Sequence, residues 1–129
     1  MALIPTDNIT NLLQSYLDVQ SRRTQVIAGN IANADTPGYV AKQLDFDSYL
    51  QDAARQASLP ASQQNENSLP TAELRVIDKD SPAIGLDGNT VDAGREMAEL
   101  AQAGTSFNFG AKMLQARFRT LRTAIREGK

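Results

Sequence analysis

From Ile9 onward the apolar positions fall at Ile9, Leu12, Leu13, Tyr16, Leu17, Val19, Val26, Ile27 and Ile31. Steps of three and four paint one face of a helix, and Thr6 or Asp7 is suited to cap its N-terminus. A helix over 7–33 has about 27 residues and a length of roughly 40 Å at 1.5 Å per residue. At the other end, Leu100, Gly104, Phe107, Ala111, Leu114, Phe118, Leu121 and Ile125 alternate steps of four and three. That is the 3.5-residue period of a coiled-coil seam. With Asp92 as N-cap, the pattern predicts a helix over about 92–127, roughly 54 Å long. Gly104 and Gly110 lie inside it, each costing about 1 kcal/mol against alanine. The segment is expected to fray unless packing restrains it, and Gly104, in the seam, is either a point of close backbone approach or a tolerated weak spot.

Between the two helical patterns the periodicity changes. Val40, Leu44 and Phe46 share one side of an extended reading, a weak strand or arm. Phe46, Tyr49, Leu50, Ala53 and Ala54 return to helical spacing, which predicts a short helix over about 45–57. Residues 58–70 are bounded by prolines and nearly devoid of bulk, the composition of a mobile linker. Leu74-Arg75-Val76-Ile77 reads as a short strand, and Ser81-Pro82 and Asp87-Gly88-Asn89 read as turns. The organisation expected is therefore an N-terminal helix over 1–35 and a connector over 36–90, followed by a C-terminal helix over 91–129. The connector divides into turn and arm (36–44), short helix (45–57), linker (58–70), and strand and turns (71–90).

The sharpest break is at Asn30-Ile31-Ala32-Asn33-Ala34-Asp35-Thr36-Pro37-Gly38-Tyr39. Pro37 disfavours helical geometry at Thr36, and Gly38 can take the positive φ that position i+2 of a type II turn requires. The helix must stop by about Asp35. Asn30 and Asn33 sit on its last turn, suited to hydrogen-bonding freed carbonyls or a neighbouring backbone, or to capping locally. Tyr39 can lay its ring on a helix seam or pack within its own chain.

Composition narrows the function. The 129 residues contain neither cysteine nor histidine, which excludes disulfides, thiolate nucleophiles, imidazole bases and Cys/His metal sites. Only 5% of residues are aromatic, little bulk for a compact core, so a long shape that buries its stripes against neighbours fits better. The net charge of −2 hides an asymmetry, because residues 34–99 hold 12 acids against 5 bases, while residues 112–129 hold 6 bases against Glu127 alone. The start of the chain lacks the pattern of a secretory signal, and no stretch reaches the roughly 18 apolar residues of a membrane span. The expected location is the cytoplasm, or a destination reached by export without a cleavable signal.

The junction from Asn30 to Tyr39 resembles the signature of the rod and hook family, the axial proteins of the bacterial flagellum. Asp87-Gly88-Asn89-Thr90-Val91-Asp92, Arg95-Glu96-Met97-Ala98-Glu99-Leu100 and the ending Arg117 to Ile125 are similar to its short proximal-rod members. The chain also lacks the long β-rich insertions of the hook and distal-rod members. The resemblance implies a mainly α fold, in which two long terminal amphipathic helices pack as a coiled-coil-like pair. An extended arm, a short helix and a partly irregular or β connector would join them. It further implies a non-catalytic structural subunit without cofactor or metal, exported through the flagellar type III apparatus to the periplasmic rod. The implied partners are other copies of itself, other proximal rod proteins, the rod-base adaptor protein and the export gate.

The residues expected at interfaces are Asn30, Asn33, Thr36, Pro37, Gly38 and Tyr39 at the junction, and Leu100, Phe107, Leu114, Phe118, Leu121 and Ile125 on the seam. Arg119, Arg122 and Arg126 join them, forming with Lys112 a row about 100° from the apolar stripe. This row either complements the helix dipole or meets acidic residues of a neighbouring subunit. Overall acidity and the lack of a base-stacking platform argue against nucleic acid. Asp87 to Asp92 lacks the alternating ligands of a calcium loop and reads as a turn feeding a capped helix. The reading from another class is a soluble helical adaptor or secretion chaperone of a type III export system. An enzyme would have no nucleophile-base spacing to work with.

Overall fold

In the computed structural model the described residues are 8–60, 62–63 and 74–128. They form α1 (Asn8–Ala32), β1 (Lys42–Leu44), α2 (Phe46–Ala57), β2 (Val76–Asp78) and α3 (Ala93–Glu127). Most of the expected linker at 58–70, and the caps expected at Thr6 or Asp7, lie outside the described residues. The fold is mainly helical. Two long terminal helices pack on each other, and a small antiparallel sheet lies in the connector.

Local chemistry explains the boundaries. Asp92 has extended backbone geometry and accepts a hydrogen bond from the Arg95 amide, the geometry of an N-cap. At the far end, the Gly128 amide donates to the Ala124 carbonyl at 2.9 Å. The helix between runs unbroken through Gly104 and Gly110. β1 and β2 pair with Lys42 opposite Asp78, Gln43 opposite Ile77 and Leu44 opposite Val76. The second strand thus sits one to two residues later than the apolar run predicts.

The inner face of α3 differs from the predicted seam. Glu96, Ala103 and Gly110, seven residues apart, are the buried positions of α3. Phe107, Phe118 and Ile125 remain 38%, 50% and 60% exposed. On α1 the matching positions are small or polar as often as apolar. Thr10, Gln20 and Ile27 are buried, and Leu13, Leu17 and Thr24 are half-buried. The physical reason is close approach, because a Cβ at Gly110 would lie 2.8 Å from the Tyr16 ring and 3.0 Å from a Leu17 methyl. Bulky side chains there would push the helices apart, so small residues select the inner face and large ones are displaced around the helix. The close approach therefore occurs at Gly110. A Cβ at Gly104 would meet nothing within 4 Å.

The described apolar core is small: Ile27, Ala41, Leu44, Val91 and Ala103. The two largest fully buried side chains are Glu96 and Asn30. Packing at the connector end is thus built around polar groups, and each of them needs a partner.

Candidate functional site

The junction begins where α1 ends. The Tyr39 amide donates to the Thr36 carbonyl at 3.2 Å across Pro37-Gly38, and Gly38 has φ of 72°. This is the turn in which glycine is favoured at the third position. A second turn lies against it: the Gly38 amide donates to the Asp87 carbonyl at 3.0 Å, and Gly88 has φ of 83°.

Asn89 locks the two turns together. Its carboxamide nitrogen lies 2.9, 3.0 and 2.7 Å from the carbonyls of Asn33, Ala34 and Thr36, and its oxygen accepts from the Val91 amide at 2.8 Å. Helix ends leave carbonyls without intrahelical partners. Here the cap for α1 comes from a residue 50 or more positions along the chain. Asn33 serves a local role, donating to the Gly29 carbonyl and accepting from the Thr36 hydroxyl.

Asn30 does something different. Its oxygen accepts from the Lys42 amide at 2.8 Å while its nitrogen donates to the Lys42 carbonyl at 2.8 Å. The side-chain carboxamide thus occupies the place of a neighbouring strand on the outer edge of β1. Its second N–H donates to Glu96 Oε2 at 3.0 Å, and the Tyr39 hydroxyl donates to its oxygen at 3.4 Å. The group uses both donors and both lone pairs.

Glu96 carries the chain of contacts into α3. Its other oxygen accepts from Lys79 Nζ at 2.7 Å, and Lys79 also bridges both oxygens of Glu99 at 3.0 and 3.1 Å. The side chains of Lys79 and Glu96 are only 11% and 2% exposed. Burial opposes the charge on Lys79, but its hydrogen bonds to Glu96 and Glu99 and their negative fields outweigh it and hold the ammonium above its ordinary value. Lys79 follows β2, and its amide donates to the Ala41 carbonyl at 2.7 Å. Lys79 therefore joins the connector to α3, and Glu96 passes the link on to Asn30 of α1.

Elsewhere in the connector, hydrogen bonds from Ser48 hold the Asp45 carboxyl below its usual value. Burial, aided by the charge of Asp18, raises the Tyr49 phenol. An open cleft of about 210 Å³ lies between α1, β1 and α3, with Arg23, Lys42, Lys79 and Arg95 on its walls. All but Arg23 of these cations are in ion pairs with acidic residues of the same chain. The cleft is not an open anion site.

The structure thus gathers Asn30, Asn33, Thr36, Pro37, Gly38 and Tyr39 into one hub and leaves the seam residues outside it. Leu100, Leu114 and Leu121 are half-buried, Phe107, Phe118 and Ile125 exposed, and Arg119, Arg122 and Arg126 exposed. Lys79 is a hub member that sequence reasoning does not single out, and Asn89, Thr90 and Glu96 are members that stand in the quoted motifs but not among the expected site residues; the Thr90 hydroxyl accepts from the Ala41 amide at 2.8 Å. Glu96 stands one heptad before Ala103 and two before Gly110, a spacing that marks it as inward-facing once the inner stripe is known.

Comparison with known proteins bears on what this hub serves. Residues 14–39, from the middle of α1 to Tyr39, match the family described as flagella basal body rod protein. The chain is 33% identical over 127 residues to the flagellar basal body rod protein FlgB of Escherichia coli K12, covering 89% of this chain and 91% of that one. It is 29% identical to FlgB of Bacillus subtilis over 119 residues, 91% and 92% of the two chains. With FlgB of Yersinia ruckeri the identity is 27% over 132 residues, 95% and 96% of the two chains. No described helix is long and apolar enough to cross a membrane.

Proposed function

Because this chain belongs to the FlgB family of flagellar basal body rod proteins, we propose that it is a non-catalytic subunit of the proximal rod, assembling through the outer faces of its terminal helices. It reaches the rod through the type III export apparatus and meets the rod-base adaptor protein and export gate as well as other rod subunits.

The observation that carries this reading is the inverted burial of α3. Small and charged residues face α1, while Phe107, Phe109, Met113, Phe118 and Ile125 remain exposed. Apolar area left in water costs roughly 25 cal/mol per Å² relative to burial, and a line of such residues along one helix marks a contact surface. The hub at Asn30 keeps α1 and α3 side by side, with Phe107, Phe118 and Ile125 on one flank of the buried stripe of α3 and Phe109 and Met113 on the other.

The test is Phe118→Asp. Phe118 is half exposed, so the isolated chain is expected to keep its helical circular dichroism. In cells whose only copy is the variant, basal bodies should lack the chain and swimming should be lost. Full incorporation and normal swimming would sink the assembly model. Recovery of the native chain only as a soluble one-to-one complex in the cytoplasm would instead favour the adaptor reading.

A further inference from the structure

Charge on this molecule is sorted by end. At the junction end three cations are already committed, while Arg23 and Arg75 are in no ion pair among the described residues: Lys42 pairs with Asp78, Lys79 with Glu96 and Glu99, and Arg95 with Glu99. That leaves Asp35, Asp80, Asp87 and Asp92, all exposed and in no ion pair among the described residues. Asp35 and Asp87 are held near each other by the bonds from Asn89 to Ala34 and from Gly38 to Asp87. At the other end the pattern reverses. Lys112, Arg119, Arg122 and Arg126 are exposed on α3 and likewise in no described ion pair.

Asp92 caps α3 and Asp87 accepts from the Asn89 amide, but two arguments say that the acidic and basic groups do not pair within one chain. From Asp92 to Arg126 is 34 residues of nearly continuous helix, roughly 50 Å and several times the roughly 8 Å screening length at physiological salt. The helix dipole accounts for cations in the last turn only, which covers Arg126 but leaves Lys112 and Arg119 unexplained. Lys112, Arg119 and Arg126 are also seven residues apart, so they line one face beside the exposed Phe118 and Ile125.

We propose that the basic outer face of α3 docks on the acidic junction end of a second copy of this chain, head to tail. The inference rests on the rod reading and adds a direction and a partner surface to it. Opposed charges steer the approach and reject the tail-to-tail and head-to-head alternatives, where like charges would meet. Phe118 and Ile125 then supply the apolar contact.

A block charge swap tests this in cells whose only copy of the chain is the variant. Arg119→Glu, Arg122→Glu and Arg126→Glu together should lower incorporation into purified basal bodies by about tenfold or more, the effect of 1.4 kcal/mol. Adding Asp35→Lys, Asp80→Lys and Asp87→Lys to the same chain should restore most of it. Native incorporation of the first variant, or no recovery in the second, overturns the proposal. Presence of the wild-type chain in basal bodies purified in parallel from wild-type cells keeps that result separate from failure of the rod reading. Because the chain has no cysteine, Arg122→Cys with Asp87→Cys gives an independent readout. Oxidised basal bodies should yield a ladder of disulfide-linked chains, and incorporated chains that stay monomeric overturn the proposal. Wild-type chain sedimenting with phosphatidylglycerol vesicles, with no recovery on charge swap, would assign the row to a lipid surface instead.

Discussion

The two ends of the helix pair are held by different physics. At the junction end, Asn30, Glu96, Lys79 and Asn89 tie four separate segments together through hydrogen bonds with partners on every side. Beyond Gly110, the exposed part of α3 carries Met113, Phe118 and Ile125, and its best-defined contacts are those of α1 with the glycine notch. Polar networks in a low-dielectric setting are strong when complete and costly when broken. Exposed apolar stripes are weak alone and strong once covered. One end is therefore finished within the chain, and the other leaves its apolar residues in water.

The sharpest way to break this contrast is Lys79→Met. It leaves the nearly buried Glu96 carboxylate facing an apolar group, and loss of one partner from such a pair costs about 3 kcal/mol. Urea unfolding followed by circular dichroism should show the loss, and an unchanged midpoint would mean that the ion pair is not a fastening. The same group predicts alkaline lability. Lys79 is raised above its ordinary 10.5 and Tyr49 above its ordinary 10.0. For both, the folded state holds the proton more tightly than the unfolded chain. Their contribution is fully present below pH 10 and is lost as pH climbs past these values. A thermal midpoint that falls above pH 10 in the native chain, and falls less in Lys79→Met, is the expected outcome.

Effects on the helix pair should be smaller and of opposite sign at the two glycines. Gly110→Ala places a methyl against the Tyr16 ring and is expected to destabilise by about 1 kcal/mol after the gain in helix propensity. Gly104→Ala meets open space and should stabilise by up to about 1 kcal/mol. Equal effects at both sites would remove the notch from the account. The smallest change expected is Gln20→Leu. Gln20 Oε1 is buried without a hydrogen-bond partner among the described residues, so its replacement should stabilise the pair by about 1 kcal/mol or less, read from the same urea curves.

The sequence makes the two terminal helices legible because their repeats are long and regular, and the turn at Pro37-Gly38 legible because its chemistry is local. It does not reveal which stripe of α3 meets α1. A hydrophobic pattern records that Phe118 and Ile125 must be covered, without recording whether the cover comes from the same chain. The small residues Ala103 and Gly110 carry too little hydrophobicity to stand out. Lys79 and Glu96 are missed for a related reason, since a charged residue on an amphipathic helix reads as solvated until its partner, distant in sequence, is placed beside it. Asn33, by contrast, caps its own helix end, within reach of sequence reasoning.

The glycine notch and the polar clamp also act together as a ruler. Asn30 meets Glu96, and Tyr16 lies beside Gly110. Asn30 and Tyr16 are 14 residues apart, and so are Glu96 and Gly110, two heptads on each helix. A repeating stripe by itself cannot tell one alignment from another shifted by seven residues. In this molecule a shift of one heptad would bring Asn30 opposite Ala103 and Tyr16 opposite Arg117, leaving a buried amide without partners and an aromatic ring without its slot. Buried polar groups at single positions specify alignment in this way. The helix pair therefore keeps one length from junction to tail, and a fixed length is what a rod subunit needs to sit beside its neighbours without accumulating error.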